Sequence, residues 1–203
     1  MTLSNNEYNA MLYNNLLKDL YKEFPKLKIK KRKEVWWCRL LDKTFLKHSK
    51  SQWGCASYNL IVVPNRFDEW LASEKYEMIM HEREHLYQYV RLGDDNALLG
   101  YVLFCFLYVL VLPAVLTMRA HFERQAYYCS ALSIHLTKTF VDYAWAKQWF
   151  ISWMVHTFCR WEYVWMWPFK KYIKRWANRA WVQAQFDATA AKETWRTKRA
   201  GRY

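Results

Sequence analysis

His81-Glu82-Arg83-Glu84-His85, within MIMHEREHLYQYV, places two imidazoles four residues apart with a carboxylate directly after the first. On a helix, positions i and i+4 share a face one turn apart, so both rings can reach one tetrahedral metal ion. Glu82 projects from the adjacent position, where it can hold a water activated by the metal and take its proton. The metal brings the pKa of that water toward neutrality, which makes hydroxide available to attack a carbonyl. Met78, Ile79 and Met80 precede the pair, and Leu86 and Val90 follow it. A largely apolar helix is therefore expected, in which a His-Glu-His cluster without a metal or other partners would be costly.

A catalytic zinc takes three protein ligands and keeps one position open. The segment RAHFERQAYY at 119–128 offers two candidates for the third, Glu123 and His121. Ala126 is small enough to let two helices approach closely beside a metal. His135 and His156 have no second ligand at useful spacing and are expected to be structural.

The elements that must position these residues follow from periodicity. Residues 4–24 read as an amphipathic helix capped by Ser4, with Tyr8, Met11, Leu12, Leu16, Leu20 and Tyr21 at helical spacing. KLKIKKRKE at 26–34 is expected as a solvated basic connector. Residues 35–47 suit a second short helix. CASYNLIVVP, 55–64, is rich in β-branched and aromatic residues and ends at Pro64, the pattern of a single strand. Residues 67–92 form the helical stretch that holds the histidine pair, and Gly93-Asp94-Asp95-Asn96 ends it. From about residue 118 the pattern is helical to the C-terminus.

The stretch 97–117 contains no charged residue and is long enough for a bilayer, which takes about 20 apolar residues. A single span would separate His85 from Glu123 by a membrane. With a shared metal, the segment is expected to be buried, a hairpin broken near Pro113, or an interfacial anchor. If it did span, a third ligand would have to come from the N-terminal side, where His48 is the only histidine.

Composition bounds the rest. The 203 residues are 53% apolar with 4 Gly and 4 Pro, which favours helix and argues against long disordered regions. One core at 1–143 with a helical extension at 144–203 is expected. The extension is dense in Trp interleaved with Lys and Arg, suited to protein assembly or to a membrane surface. The formal charge of +13 makes nucleic acid a possible partner, though not the favoured one. The five Cys are scattered without a CxxC pair, which argues against disulfides and fits a cytoplasmic life. The N-terminus shows no secretory signal.

From Trp36 to Tyr128 the chain resembles a family of HExxH zincin metallopeptidases, gluzincin-like, largely uncharacterised and common in bacteriophage genomes. The resemblance rests on WWCRLLDKTF, Trp53-Gly54, YNLIVVP, HEREHLYQ with Gln88, Val111-Leu112-Pro113, and Arg119-Ala120-His121-Phe122-Glu123-Arg124-Gln125-Ala126-Tyr127. It covers about half the chain. It implies an α+β, predominantly α fold, with a zincin-like core and a short strand or small sheet beside the HExxH helix. It also implies zinc held by His81, His85 and Glu123, with Glu82 as base. A Tyr or His commonly supports the oxyanion in such sites, which points to Tyr127 first, with Tyr128 and His121 as alternatives.

The expected activity is zinc-dependent hydrolysis of peptide bonds in a protein or peptide substrate. The competing expectation is a structural or interaction protein, such as a component of a phage particle, that keeps the scaffold with or without activity. A third is a membrane protein whose histidine pair is accidental.

Overall fold

The computed structural model describes residues 4–42, 54–94, 96–109, 118–138, 143–159 and 169–200. The protein is mostly helical with one small sheet, the α+β, predominantly α class expected. It contains two compact units, Met1–Leu110 and Val111–Tyr203. This division falls earlier than the boundary expected near residue 143. The reason is that the third helix from the C-terminus groups with the two after it rather than with the sheet.

In the first unit, helix α1 spans Asn5–Glu23 and begins at a capping box: Ser4 accepts from the Glu7 N–H, and the Glu7 carboxylate accepts from the Ser4 N–H. Strand β1, Lys28–Lys31, follows. The basic run expected as a connector is thus partly a strand. Its alternation is real, with Ile29 half-buried between exposed Lys28 and Lys30, but the lysines disguise it. A short helix α2, Trp36–Asp42, comes next. The remainder of the helix expected at 35–47 lies outside the described residues, as does His48.

The single strand expected at 55–64 is a hairpin. Strands β2 (Cys55–Ser57) and β3 (Leu60–Val63) pair antiparallel, with Ser57 opposite Leu60. The two-residue turn is Tyr58-Asn59, and Asn59 takes the left-handed conformation at φ 51°. Asparagine tolerates that region better than most residues, so the turn forms without glycine. Strand β1 runs parallel on the other side of β3, giving the order β1-β3-β2. The central strand buries Ile61, Val62 and Val63.

Helix α3, Ala72–Gly93, carries the histidine pair. It ends where Asp94 turns left-handed at φ 41°. Asn96 then caps helix α4, Ala97–Val109, its side chain accepting from the Leu99 N–H at 3.0 Å. Helices α3 and α4 cross at two glycines. A Cβ on Gly100 would lie 1.9 Å from the Tyr89 carbonyl oxygen and 2.7 Å from the Gly93 nitrogen, so only glycine permits the crossing. The inner side of α4 presents Gly100 and Phe104, while Leu98, Leu99, Val102, Leu103 and Phe106 are exposed along its outer side. Among the described residues no helix is long and apolar enough to cross a membrane. The rest of the uncharged stretch, residues 110–117 with Pro113, lies outside them.

The second unit holds helices α5 (Met118–Thr137), α6 (Tyr143–Cys159) and α7 (Lys170–Ala200). Helix α7 buries Ile173, Ala177, Ala180, Trp181, Ala184 and Ala188, an i, i+3, i+4 stripe that packs on α5 and α6. Phe150, Met154 and Phe158 from α6 and Ala131 and Ile134 from α5 complete this core. Of the Trp-rich stretch, Trp181 is fully buried and Trp145 and Trp149 are exposed, while residues 160–168 lie outside the described ones.

Candidate metal centre

His81 and His85 lie on one face of α3, their ring centroids 5.1 Å apart and nearly perpendicular. His85 is buried and His81 half-buried, so the pair has an inner and an open side. The Nδ1 of His85 donates to the Gln88 side-chain oxygen at 2.8 Å. That bond fixes the tautomer and leaves Nε2 with its lone pair outward, the arrangement a metal-binding histidine needs. Gln88 is itself only 2% exposed. Its place in HEREHLYQ was legible, but its partner was not. An i, i+3 reach from a histidine to an amide is the signal that could have found it.

Helix α4 supplies an aromatic wall. Phe104 lies 5.9 Å and Tyr108 6.2 Å from His85 by ring centroids, the latter edge-on. Such a wall shields one side of the imidazole from water and lowers the local dielectric.

Glu82 is buried at 5% exposure beside the start of β2. Gly54 makes this possible: a Cβ there would stand 3.1 Å from Glu82 Oε1 and 2.9 Å from the Val62 carbonyl oxygen. The thiol of Cys55 feels the same carboxylate. Burial first, then the charge of Glu82, pushes its pKa well above the ordinary thiol range.

The remaining motif positions hold the helix in place. Arg83 pairs with Glu23 of α1 at 3.1 Å, and its guanidinium lies 4.9 Å from the centre of the Tyr87 ring. Glu84 pairs with Arg91 two turns further along the same side of α3.

In the second unit Glu123 is buried on α5, 7% exposed. The rival ligand His121 is exposed, and the Gln125 amide donates to its Nε2 at 2.9 Å. Tyr127 packs in the aromatic core, edge-on to Trp153 at 5.4 Å and against Phe158 at 5.7 Å. Tyr128 donates its hydroxyl to Asp187. His135 is a core histidine, its ring 4.3 Å from that of Trp181, and His156 is exposed.

The donor chemistry on α3 suits a metal such as zinc: two imidazoles one turn apart, one of them held in a single tautomer by Gln88. Compared with known proteins, the chain matches no family model, no curated protein and no solved structure.

Proposed function

We propose that this chain is a zinc-dependent metallopeptidase with His81, His85 and Glu123 as its metal ligands. One observation carries the reading. His81 and His85 share one face of α3 with their rings 5.1 Å apart, and the Gln88 side-chain oxygen holds the Nδ1 of His85 at 2.8 Å, which turns Nε2 into the donor a metal would take. Glu123 joins the pair through the resemblance carried by Arg119–Tyr127.

When bound, zinc supplies a Lewis acid for the scissile carbonyl and an acidified water. Glu82 would take the proton of the attacking water and return it to the leaving amine. Gln88 holds the His85 ring in its productive tautomer. Phe104 and Tyr108 exclude water from one side of that ring. The edge-on contacts of Tyr127 with Trp153 and Phe158 favour a packing role for this residue.

Purified protein should contain about one zinc per chain, a content lost in both His81→Ala and Glu123→Ala. Glu82→Gln should keep zinc and the wild-type circular dichroism spectrum, yet lose hydrolysis of an unfolded protein substrate by about 10²–10⁴-fold. Protein purified without metal, and unable to take up zinc on titration, would overturn the reading. Zinc with no hydrolysis in wild type would leave a metal-stabilised structural protein.

A further inference from the structure

We propose that the groove between α6 and α7 binds the phosphate backbone of a single-stranded nucleic acid. The groove is a cavity of about 470 Å³ lined by Lys147 and Gln148 of α6 and by Lys174, Arg175, Asn178 and Arg179 of α7. Among the described residues no acidic one lines it. Among the described residues, none of its four cations is paired with a carboxylate. Four like charges facing one hollow repel each other, and an anion in the hollow removes that repulsion.

The arrangement selects among anions. On α7 the polar side chains form two rows, Lys174 with Asn178 and Arg175 with Arg179, each step being four residues or about 6 Å along the axis. That stride approaches the spacing of successive phosphates along an extended strand. The α7 cations are exposed rather than enclosed. A small phosphorylated ligand is usually held by buried, converging donors, whereas a polyanion binds through several solvated contacts that release counterions. Gln148 and Asn178 can both donate and accept, so they can meet sugar or base edges as well as phosphate. From composition alone the charge of +13 names no partner. The groove gives part of that charge a shape that fits a strand.

The test is fluorescence anisotropy of a labelled oligodeoxythymidylate of about 16 nucleotides, a length that covers the site sizes of single-strand-binding OB folds, titrated with the full chain. Lys174→Glu/Arg179→Glu should weaken binding at least about tenfold and lower the salt slope by about 1.4, from two lost contacts at about 0.7 each. Lys18→Glu/Lys26→Glu changes net charge equally at exposed residues of the first unit and should retain wild-type affinity. Lys174→Gln/Arg179→Gln guards against misfolding and should show a smaller loss in the same direction. Equal loss in both Glu doubles, or no loss in the groove double, would overturn the proposal. So would groove-dependent binding to phosphatidylserine vesicles with none to the oligonucleotide.

Discussion

His135 shows what a histidine does when it is not a ligand. It sits in the core of the second unit against Trp181 and Tyr143, and Lys192 donates to its backbone carbonyl at 2.7 Å. Burial pushes its pKa down to about 4. The unfolded chain protonates this ring near its ordinary value of about 6.5, and the folded chain only near the lowered one. Between those values the unfolded state binds the extra proton. Stability from this group is therefore complete above about pH 6.5, falls as pH drops toward 4, and changes no further below. Thermal unfolding should show a decline on the order of 2 kcal/mol across that window, absent in His135→Phe. Parallel declines in both proteins would show that the ring is not buried neutral. Residue by residue, much of the candidate site is legible in the sequence. His81, Glu82 and His85 stand out because their spacing is local and matches the helix period. The roles of Gln88 and Gly54 do not stand out: one depends on a rotamer and the other on a strand arriving beside a helix. The assignment of His135 as structural needed only the absence of a second ligand nearby.

At the level of elements, the crossing of α3 and α4 is the most demanding contact in the first unit. Gly100→Ala forces a methyl into the Tyr89 carbonyl, which is backbone and cannot swing aside. At an open helix position the same change gains about 1 kcal/mol. Here it should cost about 1–3 kcal/mol, read as a lower urea midpoint at unchanged slope. Because Phe104 follows one turn later, the variant should also loosen the wall beside His85. The helices were legible wherever an apolar stripe repeats every three to four residues, as in α1, α3 and α7. The sheet was harder. Strand β1 is hidden because three of its four residues are lysine. The β2–β3 turn is hidden because Tyr58-Asn59 lacks the glycine that marks most tight hairpins. Strand periodicity over three or four residues carries too few positions to outweigh such signals.

Across the whole chain, a bound metal and folding are linked. A ligand that binds only the folded state at 100 times its dissociation constant adds about 2.7 kcal/mol of stability. On the zinc reading, a chelator should lower Tm, and zinc should restore it where magnesium, which prefers oxygen ligands, does not. A Tm indifferent to both would count against the site. The same measurement on Lys174→Glu/Arg179→Glu should show an unchanged chelator response, which separates the metal from the basic groove.

The outer side of α4 has one more effect, on how the molecule behaves in a crowd of its own kind. Leu98, Leu99, Val102, Leu103 and Phe106 make a row of exposed hydrocarbon with no charge on the helix to break it. Copies carrying +13 repel one another over about 30 Å in 0.01 M salt, but over only about 8 Å at 0.15 M. Hydrocarbon attraction is not screened in this way. Dispersion of this protein thus rests on a long-range force that ordinary salt removes, set against a short-range one that salt leaves in place.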